Sequence, residues 1–201
     1  MAARLFNRPH RVIQDPPIAR LLFSDTRVAW LWLVVRLYLG YAWIEAGWHK
    51  VTDPAWVGGG AALKGFWQRA VAIPENGRPP IAYDWYRDFI AWMLNNDYYT
   101  WFAKVVAYGE LLIGVALILG AFVGIAAFFG AFMNWNFIMA GAASTNAVLF
   151  TLAILLMLAW KTAGYLGLDY YLLPLIGTPW RSQAAEPDKR IGPPAQAGLS
   201  R

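Results

Sequence analysis

Four apolar stretches constrain this chain more than anything else in it. They run from about Val28 to Lys50, Tyr99 to Leu119, Gly124 to Gly141 and Ala147 to Tyr165. Each approaches the ~20 residues that a helix needs to cross a bilayer. In hydrocarbon such a stretch satisfies its backbone only as a helix, so the pattern predicts an all-α integral membrane protein. The composition agrees: 59% of the 201 residues are hydrophobic and 14% are charged, against roughly a quarter charged in soluble domains. The expected fold is a four-transmembrane-helix bundle over residues 28–170. A basic tail (1–27) precedes it, and an interfacial segment with a disordered tail (171–201) follows.

The connection 51–97 has structure of its own. Asp53-Pro54 closes the first span, and Gly58, Gly59 and Gly60 open a flexible loop. Ala61 to Val71 and Tyr83 to Asn96 then read as two helices, separated by Pro74, Pro79 and Pro80. In the second, Trp85, Phe89, Trp92 and Met93 share a face, and Asp84, Arg87, Asp88 and Asn95 share the other. That is the pattern of a helix lying at headgroup depth. Pro16 and Pro17 are expected to break any helix in the N-terminal tail, though Ile18 to Phe23 suits a membrane surface. Pro174 and Pro179 exclude a fifth span.

The formal net charge is +5, but the basic residues concentrate in the two tails. That fits anchoring at an anionic membrane face rather than nucleic-acid binding. Arginines before the first span, with Lys161, Arg181, Lys189 and Arg190 after the fourth, place both termini in the cytoplasm and residues 51–97 outside. With no cysteine there is no disulfide, thiolate metal site or iron–sulfur cluster. His10 and His49 are the only histidines, so neither two-histidine haem ligation nor a metal cluster is expected. There is no dinucleotide fingerprint.

Ionisable residues inside spans are costly and mark sites or ion pairs. On a helical wheel Arg36, Gly40, Gly47 and Lys50 form one stripe, while Glu45 and His49 face the opposite side. Counted from the span ends, Arg36 lies roughly 13 Å and Glu110 roughly 12 Å from the cytoplasmic side. These depths predict a structural Arg36–Glu110 ion pair, with Glu110, Gly114, Leu117 and Ala121 packed on the Arg36 stripe. Ala126 with Gly130, and Ala127 with Ala131, are small-residue pairs that let helices approach closely.

The order of these motifs resembles the DoxX family, which includes the DoxD subunit of thiosulfate:quinone oxidoreductase. Arg36, Gly40, Gly47 and Lys50 match its first-span pattern. Glu110, Gly114, Leu117 and Gly120 match the second, and GYLGLD ending at Asp169 matches a late one. The resemblance implies a membrane subunit beside a quinone-linked oxidoreductase, in sulfur-compound (thiosulfate) oxidation. Its electrons would come from a separate partner, for which the short tails leave no room. The alternative is a non-catalytic subunit that anchors or stabilises a larger respiratory or photosynthetic complex. Lipids and other subunits are the expected partners. For a quinone, the candidate ligands are Glu45, His49, Lys104, Asn134 and Asn136 near the outer ends of the spans, with Trp43, Trp48, Trp101 and Trp135 as aromatic walls. No covalently bound cofactor is expected.

Overall fold

In a computed structural model of the chain, residues 15–178 and 180 are described, and among them every regular element is a helix. The expectations for residues 1–14 and 181–201 lie outside the described residues. In order the helices are α1 (Pro17–Ser24), α2 (Ala29–Thr52), α3 (Pro54–Val57), α4 (Ala61–Val71), α5 (Asp84–Asn95), α6 (Tyr99–Leu119), α7 (Val123–Met139), α8 (Asn146–Leu158), α9 (Trp160–Gly164) and α10 (Asp169–Leu175). A 3-10 turn (Thr26–Val28) leads into α2. Two segments, Thr26–Thr52 and Tyr99–Leu119, are long and apolar enough to cross a membrane. Helices α7 and α8 are equally apolar but shorter, at 17 and 13 residues.

The α2–α6 contact sets the frame. Three glycines make it, because each removes a side chain where two backbones meet. A Cβ at Gly47 would stand 2.5 Å from the Leu111 nitrogen, and one at Gly114 would stand 2.6 Å from the Ile44 nitrogen. Gly40 faces Gly114 and Ile118, while Gly47 faces Glu110 and Leu111. Rising numbers on one helix thus meet falling numbers on the other, so the two are antiparallel.

Around this pair lie two apolar cores. One gathers Trp32, Leu39 and Trp43 of α2 with Ile113 and Leu117 of α6, alanines of α7, and Ala153, Leu156 and Ala163. Gly130 admits Trp43 against α7. The other joins Leu63 and Trp67 of α4 to Tyr86, Ile90 and Met93 of α5, and to Tyr99 and Ala103 at the start of α6. Helices α3–α5 therefore cap one end. The cap is seated on α6: Gly60 takes φ 74 and lies against the Tyr99 carbonyl, where a Cβ would clash.

Several expectations need correction. Pro17 starts a helix instead of breaking one, since a first-turn proline gives up no intrahelical hydrogen bond. Helix α1 is tied to the body by Trp32 Nε1 donating to Leu22 O (2.7 Å) and Thr162 Oγ1 to Phe23 O (2.8 Å). On α5 the buried stripe is Tyr86–Ile90–Met93, so Met93 leaves the face of Trp85, Phe89 and Trp92, which stay exposed. The fourth apolar run is interrupted at Ala159. Pro174 lies inside α10; it cannot bond the Tyr170 carbonyl, and Trp180 Nε1 fills that place at 2.9 Å.

The Arg36–Glu110 ion pair does not form. Arg36 is buried at the opposite end from the cap, where Nη1 donates to Ala163 O (2.9 Å) and Nη2 to Leu166 O (2.8 Å). It thereby caps the C-terminal end of α9. Asp169 accepts hydrogen bonds from the Phe122 (2.6 Å) and Val123 (2.9 Å) nitrogens at the start of α7. Helix α6 does not begin level with the end of α2, so Glu110 and Arg36 lie at different heights. Its first turns belong to the cap, which moves Glu110 toward the cap end, beside Gly47.

The glycine contact predicts a sharp contrast. Gly47→Leu and Gly114→Leu should each destabilise the protein by about 1–3 kcal/mol or more through overpacking. Gly59→Ala, whose Cβ meets nothing within 4 Å, should change little. Thermal unfolding in mild detergent measures all three.

Candidate functional site

Between α2 and α8, beneath α4, lies a groove of about 720 Å³. Its α2 wall is the stripe Tyr38–Ala42–Glu45–His49, spaced to share one helix face. Asn134 and Phe137 of α7 and Leu149 of α8 form the opposite wall, and Phe66 and Arg69 of α4 form the roof. Tyr38 lies well along α2 from the cap, whereas His49 and Arg69 lie at it. The groove therefore runs along the side of the apolar body.

Lys50 and Glu110 line it as an ion pair, Nζ to Oε2 at 2.7 Å. The Glu110 side chain is 1% exposed and that of Lys50 20%. Lys50 also donates to Ala46 O (3.4 Å) and stands 5.2 Å over the Trp56 ring. The cause is local: Gly47 draws the α6 backbone against α2, and Lys50, about one turn further, meets Glu110.

The sequence-derived candidates divide. Glu45, His49 and Asn134 line the groove; Lys104 and Asn136 do not. Six residues along α6 turn Lys104 about 120° away from Glu110, onto an exposed face. Two residues turn Asn136 about 200° from Asn134. There its Nδ2 donates to Phe132 O (2.8 Å) and its Oδ1 accepts from the Tyr86 hydroxyl (3.1 Å). Burial pushes that hydroxyl up to about 12, so it remains a donor at every physiological pH. Of the four tryptophans, only Trp43 lines the groove. Trp48, Trp101 and Trp135 face outward.

Sequence reasoning missed the Lys50–Glu110 pair as part of the site. The signal was present, because Lys50 shares the Gly40–Gly47 stripe; the helix register that assigns its partner was not. It also missed how Asn134 sits. This side chain is fully buried, and neither Nδ2 nor Oδ1 has a partner; Trp43 Nε1 is buried and unpartnered too. Each such group costs about 1–3 kcal/mol.

Two stability outcomes follow. Lys50→Met leaves a buried carboxylate alone and should cost about 3–5 kcal/mol, while Lys50→Met with Glu110→Leu should recover most of it. Asn134→Leu, which removes two unmet groups and keeps the branched shape, should leave stability equal or higher. Denaturation in detergent, run as a double-mutant cycle for the pair, checks both.

The DoxX family model matches residues 31–160, which contain the α2–α6 contact, the Lys50–Glu110 pair and the groove's α7 and α8 wall. No curated protein and no solved structure matches the chain. With the family matched over most of its length and apolar helices of spanning length, the chain belongs to the DoxX family of membrane proteins.

Proposed function

We propose that this protein is a membrane subunit that holds a quinone headgroup in its lateral groove and works beside a separate oxidoreductase, one acting on sulfur compounds such as thiosulfate. The observation that carries this reading is a groove with aromatic walls along an apolar body, ending on buried, unpartnered hydrogen-bonding groups. Its volume suits a small-molecule site of roughly 300–1,000 Å³. Trp43, Tyr38, Phe66 and Phe137 fit the ring, and Trp43 Nε1 and Asn134 Nδ2 are donors for its carbonyls. Glu45 and His49 stand at the cap-end mouth, where protons exchange with water. When bound, the quinone supplies electron-carrying chemistry; the chain supplies binding, orientation and proton access.

The proposal includes a topology. Helices α2, α6, α7 and the α8–α9 run cross the membrane of a bacterial or archaeal cell, with both termini cytoplasmic and the cap outside. At 1.5 Å per residue α7 spans about 26 Å and α8–α9 about 28 Å, close to a core of about 30 Å. The exposed Trp85, Phe89, Trp92, Trp101 and Trp135 around the cap end suit a membrane–water boundary.

Purified protein in lipid nanodiscs should bind a short-chain benzoquinone saturably, yet reduce none with thiosulfate unless a partner is added. Single cysteines at Glu75, Ala3 and Ser200 should label from outside only at Glu75. Absence of saturable quinone binding would contradict the site, leaving the role of an anchoring or stabilising subunit in a larger complex. Outside labelling of either tail would overturn the topology.

A further inference from the structure

The polar end of the groove is not complementary to a quinone alone. Trp43 Nε1 lies against Gly130, 3.2 Å from where a Cβ on that glycine would be. Gly130 precedes Asn134 by one helical turn, so the two positions on α7 are about 5–6 Å apart. The indole nitrogen and the amide therefore lie along one face of α7, where a ligand oxygen at this end of the groove would meet them.

What that oxygen must do follows from the inventory of unmet groups. Trp43 Nε1 only donates, whereas Asn134 brings a donor, Nδ2, and an acceptor, Oδ1. Turning the amide over exchanges the positions of these atoms but removes neither function. A quinone carbonyl accepts from the donors and leaves the amide oxygen unmet. A quinol hydroxyl accepts from one group and donates to another. Of the nearby charged groups, Lys50 Nζ and Glu110 Oε2 already bond each other.

We infer that the groove selects the reduced, quinol form: the hydroxyl donates to Asn134 Oδ1 while accepting from Trp43 Nε1. This rests on the quinone reading above and adds the redox state. Quinone plus two electrons and two protons gives quinol, so preferential quinol binding raises the potential of the bound couple. A tenfold preference corresponds to about +30 mV for two electrons. The electrons themselves arrive from the partner oxidoreductase, and a raised potential favours their acceptance by the bound quinone. The groove is then a site that holds the quinol it forms in one orientation before release to lipid.

The test compares three probes on the full chain in nanodiscs under anaerobic conditions: a decyl-substituted benzoquinone, its quinol, and the dimethyl ether of that quinol, which accepts but cannot donate. The quinol should bind about tenfold tighter than the quinone, the gain of one hydrogen bond to a buried, otherwise unmet acceptor. The ether should bind no tighter than the quinone. Asn134→Leu should bring the quinol and quinone affinities together while the aromatic walls still hold the ring. Equal wild-type affinities for quinol and quinone, or an ether as tight as the quinol, would overturn the redox preference and leave the quinone site standing. No saturable binding of any probe would overturn both. The three-probe comparison needs no variant, so a poorly folding Asn134→Leu would not weaken it.

Discussion

Backbone contact between α2 and α6 governs the placement of Arg36, Lys50 and Glu110. Gly40 and Gly47 on one helix and Gly114 on the other leave no room for a side chain. Shifting the helices past one another would drive Ile44 or Leu111 into the opposing backbone. The contact thus fixes which residues of α2 stand beside which residues of α6. With that register set, Lys50 meets Glu110 near the cap, and Arg36 is carried to the α6–α7 turn at the far end.

The two charged clusters then have different characters. At the far end Arg36 lies among Gly120, Gly167 and Asp169, with no space for a Cβ on either glycine. Its two Nη atoms are spent on Ala163 and Leu166 carbonyls, and Asp169 is spent on the nitrogens that begin α7. Phe122 holds a left-handed backbone there, φ 48, beneath the Asp169 bond. This cluster closes the end of the body and ties α2, α7, α9 and α10 together. The Lys50–Glu110 cluster borders the groove instead, and beside it Asn134 and Trp43 keep hydrogen-bonding capacity unused. A protein that leaves three buried polar atoms unmet in one place gives up stability there, as binding sites commonly do.

Much of this was legible in the chain. Period and length located α4, α5 and α6 to within a residue or two, because apolar runs with Gly or Pro boundaries leave few choices. The stripe Arg36–Gly40–Gly47–Lys50 was visible on a wheel, and so was its fit to Gly114 and Leu117. What the sequence withheld was the offset between helices. Depth reckoned from the start of each apolar run sets Glu110 level with Arg36, whereas the first turns of α6 pack with the cap. An error of a few turns changed the partner of Glu110 from Arg36 to Lys50. Lys104 and Asn136 were grouped with the site by height alone, and helical rotation places them elsewhere. Asn134 was named, but nothing in a single chain shows that both ends of its amide lack partners.

The register is the claim on which the groove depends, and solid-state NMR in lipid bilayers measures it without any substitution. Protein carrying ¹⁵N only at lysine Nζ and ¹³C at glutamate carboxyls should show strong dipolar dephasing of the Glu110 carboxyl, from the 2.7 Å pair with Lys50. Protein carrying ¹⁵N only in arginine guanidinium groups should show none at that carbon. Dephasing of Glu110 by arginine and not by lysine would mean that the helices sit in the other register, and the groove as described would not exist.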